Sequence, residues 1–346
     1  IIQGLVMKKT LILRFSSLGD VVMTVPIIRC LCERYPNDQF VVVSRKKFKP
    51  FFEEYQNLTF FHVDFENRHK GLFGIFRLFK DLKKVKPNKV ADLHNVLRTK
   101  IISFLFQLCF FNVKTLDKMR SERKKLTRSK NKVFKPLTPI HFKYQEVFNK
   151  LGYQIDLIKD HKFPTPKALN SNEFFYNKQK VGIAPFAKHN GKVYPLDLMQ
   201  KIIAYLSQNN QVFLFGFGDE LKILEKWESS YKNVECPSTN LNFSEEIQLI
   251  SNLDLMISMD SANGHIASIY NVPVITIWGL THPYTGFSTF NSVKENQFTV
   301  DRTKFPLIPT SIYGNKKING YEESMRSIDL NGIIYRANQI LNQISS

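Results

Sequence analysis

The sequence predicts an α/β protein made of two doubly wound parallel sheets. Short β-rich runs alternate with helical apolar patterns along almost the whole chain. One Pro- and Asn-rich stretch, FPTPKALNSNE at 163–173, interrupts that alternation near the middle. A length of 346 residues with 43% hydrophobic content supplies full cores, and at about 150 residues per domain roughly two are expected.

In the first half, TLILRF (10–15) reads as the opening strand and QFVVVS (39–44) as the second. Between them VPIIRCLCERYP has helical apolar spacing. TFFHVDF (59–65) is a third strand. In GLFGIFRLFKDLKKVKP (71–87), Phe73, Phe76 and Phe79 recur at helical spacing with Lys and Arg between them. The plain expectation is a helix that packs its rings into the core and keeps a basic outer rim. KVADLHN (89–95) is a fourth strand, followed by the helix RTKIISFLFQL. Asp117–Lys135 is rich in charge and poor in apolar residues, so a loop or mobile lid is expected. HFKYQEVFNKLG closes the half as a helix with Gly152 at its end.

The second half repeats the pattern. KVGIAPF, QVFLFGFG, DLMISMD and VPVITIWG read as strands. PLDLMQKIIAYLSQN, DELKILEKWESSY, SEEIQLISNL with Ser244 as its N-cap, GHIASIYN and DLNGIIYRANQILNQI read as helices. The expected organisation is an N-terminal domain over 1–162, a linker at 163–173 and a C-terminal domain over 174–326. A final helix over 327–346 is a candidate to pack back on the N-terminal domain.

The formal charge is +19, and its placement is uneven. Residues 1–160 hold 32 Lys/Arg against 14 Asp/Glu, and the remainder hold 17 against 16. A solvated surface accounts for this in part. Docking of the basic half on a polyanion, either nucleic acid or an anionic membrane, is the sharper alternative. No helix-turn-helix or aromatic RNA-binding motif accompanies the charge, so nucleic acid is not the expected partner. Cys30, Cys32, Cys109 and Cys236 match neither a zinc pattern nor a disulfide framework, and a reduced cytoplasmic setting is expected. The start IIQGLVMKKTLILRF reads as a first strand and not as a secretory signal. IISFLFQLCFFNV, at 13 residues, is the longest nearly unbroken apolar run; a bilayer needs about 20.

Four polar clusters sit at expected strand ends, where ligands bind in open α/β sheets. In LRFSSLGDVVMTVP a strand, a small loop and a helix follow one another as in a dinucleotide site, yet there is one glycine, Gly19, and a carboxylate, Asp20. PFAKHNGKVYP offers Lys188 and Lys192 as point charges for a phosphate. GFGDE offers Gly216 for close backbone approach, with Asp219 or Glu220 for ribose hydroxyls. In MDSANGHIAS a strand ends at Asp260, and Ser261, Ala262, Asn263, Gly264 and His265 lead into a helix whose first N–H groups suit a diphosphate. Taken singly, these fit a helix cap at Asp20, solvated lysines, a glycine turn and a packing histidine at least as well. Two domains of similar size imply a cleft into which the clusters would point.

Taken together, their order and spacing resemble glycosyltransferase family 9, the lipopolysaccharide heptosyltransferases. The resemblance runs through SSLGDVVMTVP, DLHNVLRTK, PFAKHNGKVYP, GFGDE and MDSANGHIASIYNVPVITIWGLTHP, from about residue 8 to 340. It departs from the family pattern at Ala262 in place of glycine, at Gly264 in place of serine and at Tyr194 in place of tryptophan. Cysteines that some relatives carry around 308–325 are absent.

The resemblance implies a GT-B architecture of two Rossmann-like domains, acceptor in the first and nucleotide sugar in the second. It implies an inverting transfer without a metal or other cofactor, with ADP-heptose as usual donor and a lipid-anchored glycan as acceptor. Asp20 would be the general base, although a free Asp titrates near 3.9 and is a weak base at neutral pH. Lys192, with Lys188 as second choice, would meet the diphosphate. Asp260 would bond sugar hydroxyls, while Ser17, Gly19, His94 and Arg98 would face the acceptor. The enzyme would work at the inner face of the cytoplasmic membrane, with the helix at 71–86 and the 117–135 segment on anionic lipid. The alternatives are a nucleotide-sugar-binding protein that has lost catalysis and a basic nucleic-acid-binding protein. A Rossmann dehydrogenase lacks its three-glycine fingerprint.

Overall fold

The computed structural model describes residues 7–168, 177–316 and 318–345. Residues 1–6, and 169–173 of the expected linker, lie outside the described residues. The chain divides into two compact units. One holds the residues up to Arg120 together with Ile140–Lys162; the other holds Ser121–Pro139 and the chain from Phe163 onward.

The first unit carries β1 (Lys9–Leu13), β2 (Gln39–Arg45), β3 (Leu58–Val63), β4 (Lys89–Asp92) and β5 (Asn112–Thr115), all parallel, in the order β3-β2-β1-β4-β5. Leu11 lies opposite Val41 on one side and Val90 on the other. A central strand covered on both faces explains why β1 ends in the unbroken apolar run Leu11–Leu13. Strand order reverses between β1 and β4, the crevice where such sheets bind ligands.

Helices α1 (Leu18–Val22) and α2 (Val25–Arg34) follow β1, α3 (Gly71–Lys84) follows β3 and α4 (Leu97–Leu108) follows β4. The inner stripe of α3 is Gly74, Ile75, Leu78 and Leu82. Phe73 and Phe76, expected in the core, are exposed, and Phe79 is half-buried against Phe106. The cause is Gly74: it passes so close to the backbone of His69 that any Cβ would collide, and this fixes which face turns inward.

Residues 117–135 are not the expected loop. Helix α5 (Arg120–Thr127) occupies part of them, and 121–139 groups with the second unit, so the expected N-terminal domain is interrupted there. Lys132 Nζ donates to the carbonyls of Leu126 and Pro309 at 2.6 and 2.8 Å, and Leu137 N–H donates to Tyr284 O at 2.9 Å. Phe134 stacks on Tyr284 with the Arg302 guanidinium 3.3 Å from its ring centre. Burial pushes the Lys132 ammonium down to about 8, helped by the charges of Arg302 and Lys316. Seven of the first half's Lys and Arg therefore belong with the second unit. Helices α6 (Ile140–Lys150) and α7 (Leu157–Asp160) complete the first unit.

The second unit carries β6 (Lys180–Ala184), β7 (Gln211–Leu214), β8 (Val234–Glu235), β9 (Leu255–Met259), β10 (Val274–Trp278) and β11 (Gln297–Thr299), parallel, in the order β11-β10-β9-β6-β7-β8. Helices α8 (Leu196–Leu206), α9 (Leu221–Ser230), α10 (Phe243–Ser251), α11 (Ala262–Ser268) and α12 (Leu330–Ser345) surround it. The N-cap of α10 is Asn242 and not Ser244. Its side chain receives the N–H groups of Ser244 and Glu245, and Glu245 returns a bond to its N–H at 2.8 Å. The final helix, α12, groups with the second unit. It packs on α8 and β9, with Ile333, Ala337, Ile340 and Leu341 in the core.

Candidate functional site

The chain leaves β1 through two buried residues, Arg14 and Phe15, and a cis Ser16–Ser17 peptide bond. Ser17 caps the five-residue helix α1, and Asp20 is that helix's third residue and not its cap. Ser17 donates to Asp20 Oδ2 from its hydroxyl at 2.8 Å and from its N–H at 3.4 Å. Arg14 reaches the same oxygen at 2.6 Å with one guanidinium nitrogen, while another donates to Leu93 O at 2.8 Å. Gly19 is an ordinary residue of α1, its carbonyl accepting from Met23 N–H.

Leu93 and His94 follow the neighbouring strand, β4. Buried Asp92 receives the N–H groups of His94 and Asn95 at 2.9 and 2.8 Å, which folds the turn back toward β1. Burial raises the Asp92 carboxyl against the lowering effect of these bonds. His94 Nδ1 accepts from Phe15 N–H at 3.4 Å, so the ring proton lies on Nε2. Burial, with the charges of Arg14 and Lys118, pushes His94 down to about 3, and the imidazole is neutral. Exposed Arg98 lies over Phe65 at 4.6 Å, and Phe65 meets Phe15 edge-on at 5.1 Å. Ser17, Asp20, His94 and Arg98 thus follow the carboxyl ends of two adjacent strands, β1 and β4.

In the second unit, Lys192 ends a 3-10 turn, Asn190–Lys192. Its Nζ donates to Asp260 O at 2.7 Å and pairs with Asp260 Oδ2 at 2.8 Å. Thr281 Oγ1 donates to that carboxylate at 3.0 Å. The lysine stem passes Gly314, at φ +74, where a Cβ would strike it. Gly191 O accepts from Leu280 N–H at 2.7 Å, which locks the turn to the end of β10.

Ser261 precedes α11 and makes no side-chain cap, so Ala262, Asn263 and Gly264 form a helix start closed by no side chain. Gly264 packs on Ser258: a Cβ there would collide with its hydroxyl, so the site takes a glycine. His265 is buried beneath the turn. Tyr194 is a core residue, its hydroxyl donating to Ile328 O at 3.3 Å.

At the end of β7, Gly216 permits close packing on Leu224. Glu220 accepts from Phe217 N–H at 3.0 Å, and burial raises its carboxyl. Asp219 is fully exposed near Lys222, and Lys188 is exposed as well. The structure therefore joins Lys192, Asp260 and the start of α11, places Glu220 two strands from Asp260 and leaves Lys188 and Asp219 at the surface. Among the described residues, no group of three His, Cys, Asp or Glu is placed to hold a metal ion. No helix of the described residues is long and apolar enough to cross a membrane.

Sequence reasoning missed Arg14, Asp92, Thr281 and Gly314. A charge inside the apolar run TLILRF was a usable signal for Arg14. Gly314 had none, because its role depends on a lysine more than a hundred residues away.

The sequence pattern described as Glycosyltransferase family 9 (heptosyltransferase) matches residues 75–304. The chain is 25% identical over 274 residues to lipooligosaccharide heptosyltransferase 2 of Campylobacter jejuni, covering 76% of this chain and 79% of that one. It is 22% identical over 310 residues to the lipopolysaccharide core heptosyltransferase OpsX of Haemophilus influenzae, covering 83% and 85%. In fold it is similar to a glycosyl transferase family 9 structure from Veillonella parvula, with TM-score 0.73, 16% identity and coverage of 97% and 98%. The chain belongs to glycosyltransferase family 9, the heptosyltransferases.

Proposed function

We propose that the protein transfers heptose from ADP-heptose to a lipopolysaccharide-core acceptor in a single inverting displacement. Relatives named for lipopolysaccharide and lipooligosaccharide, and a solved Escherichia coli structure named for ADP-heptose, support donor and acceptor. The observation that carries the reading is Asp20, held by Arg14 and Ser17 at the carboxyl end of β1.

In this mechanism the acceptor hydroxyl attacks C1 of heptose and gives its proton to Asp20. The bond from C1 to the diphosphate oxygen breaks, and ADP leaves with its charge met by Lys192 and the N–H groups at the start of α11. Lys192 exchanges Asp260 for the diphosphate, and Asp260 turns to the sugar hydroxyls. Glu220 takes the ribose, with Gly216 leaving room beside it. Neutral His94 donates from Nε2 to the acceptor, and Arg98 meets its acidic groups. No step needs a metal or other cofactor. The protein works as a peripheral enzyme at the inner face of the cytoplasmic membrane, where such an acceptor is anchored.

The test is Asp20→Ala. Transfer should fall by at least about a thousandfold while ADP affinity stays unchanged. Turnover retained in that variant removes Asp20 as the base.

A further inference from the structure

The first unit shows apolar side chains where a packed helix layer hides them. Among the described residues, seven of the sixteen exposed large apolar side chains fall between Leu72 and Phe110. These belong to two helices that pack on each other, so they form one surface and not a scatter. Leu72, Phe73 and Phe76 stand on the outside of α3, Leu97, Phe104 and Leu108 on the outside of α4, and Phe110 follows its end. Phe73 is 88% exposed and Phe110 97%, so neither contributes to the core. An apolar surface of this density marks a contact.

Charge identifies what it contacts. From Leu72 to Phe110 there are eight Lys/Arg and two acids, Asp81 and Asp92. Both acids are withdrawn: Asp92 is buried, and Asp81 is enclosed by Arg68 at 2.7 Å and His69 at 3.3 Å. The exposed charges of the face are all positive, among them Arg77, Lys80, Lys83, Lys84 and Lys100. Rings that enter the acyl boundary while cations stay among phosphates suit an anionic bilayer. A second copy of this face would bring like charges together.

We propose that the outer face of the α3–α4 layer docks on the surface of an anionic lipid bilayer. The proposal rests on the reading that the acceptor is lipid-anchored. In this parallel sheet, α3 and α4 start from the edge at which β1 delivers Asp20. Arg98, in the first turn of α4, connects through Phe65 and Phe15 to the His94 turn. Docking sets that edge beside the membrane surface, so an acceptor reaches Asp20 without leaving its bilayer.

The test is flotation of the full chain with phosphatidylcholine vesicles, with and without phosphatidylglycerol. Wild type should float only with the anionic lipid. Phe73→Ser with Phe110→Ser, and separately Lys80→Ser with Lys100→Ser, should each lower vesicle partition on the order of tenfold or more. These side chains are exposed, so melting temperature and transfer to a soluble, lipid-free acceptor should be unchanged. Equal flotation of the variants overturns the proposal, and so does equal binding to neutral vesicles. A wild-type dimer that the phenylalanine pair abolishes, with no vesicle binding, overturns it in favour of self-association. If no acceptor is glycosylated yet the variants lose vesicle binding, the enzymatic reading fails and the docking face stands.

Discussion

At the end of β1 one guanidinium does two jobs: Arg14 holds Asp20 at 2.6 Å and the Leu93 carbonyl at 2.8 Å. It ties the proposed base to the strand that carries His94. Replacing Arg14 by Met should therefore misaim Asp20 while leaving the donor site of the other unit alone. The expected result is a kcat lower by about tenfold to a hundredfold with an unchanged KM for the donor. A rise in donor KM with kcat intact would contradict this positioning role. Lys192 requires a different design. It is paired with Asp260 in a largely buried contact. Removing the lysine alone leaves a carboxylate unpaired, at a cost of about 3–5 kcal/mol. Lys192→Met combined with Asp260→Asn removes both charges and should keep the fold. That double variant should bind ADP at least about tenfold more weakly, since Lys192 supplies a point charge to the diphosphate. Calorimetric titration showing unchanged affinity would remove Lys192 from the donor site.

The first turn of α11 shows at element scale how a packed neighbour restricts the residue a position can take. Gly264 faces the hydroxyl of Ser258 on β9 too closely for a Cβ. Gly264→Ala should destabilise the second unit by about 1–3 kcal/mol. Ser258→Ala should recover part of that loss, which a double-mutant cycle in urea would read. Additive losses would mean that the hydroxyl is not the obstacle. Elements written in local periodicity were legible in the chain: every expected strand formed, and the clusters at 16–20, 188–192, 216–220 and 260–265 all fall at strand ends. Features that depend on distant partners were not. Phe73 and Phe76 have helical spacing, but the inward face was chosen by Gly74 against His69. The segment 117–135 looked like a loop because its anchors, Tyr284, Arg302 and Pro309, lie far along the chain. The contact of Arg14 with Asp20 crosses a turn whose shape no spacing rule supplies.

Over the whole molecule, both units carry a buried neutral histidine, and this links their stability to pH in the same sense. His94, in the first, is pushed down to about 3 by burial and by the charges of Arg14 and Lys118. His282, in the second, is pushed down to about 4 by burial and by Arg302 and Lys132. An unfolded histidine titrates near 6.5. Below that value the unfolded chain binds protons that the folded chain refuses, so folding weakens as pH falls toward 4 and is fully stabilised above about 6.5. At pH 5 each histidine should cost about 2 kcal/mol relative to pH 7.5. Asp92, whose carboxyl is raised chiefly by burial, acts in the opposite sense at the acid end and offsets part of the loss in the first unit. The second unit gives the simpler test. His282 Nδ1 accepts from Tyr284 N–H at 3.1 Å, and an Asn side chain can also accept at that place without titrating. Urea denaturation of wild type and His282→Asn at pH 7.5 and pH 5 should show a smaller acid loss in the variant, by about 2 kcal/mol. An equal loss in both proteins would show that His282 gains its proton without unfolding, and that its burial does not govern the acid sensitivity of the second unit.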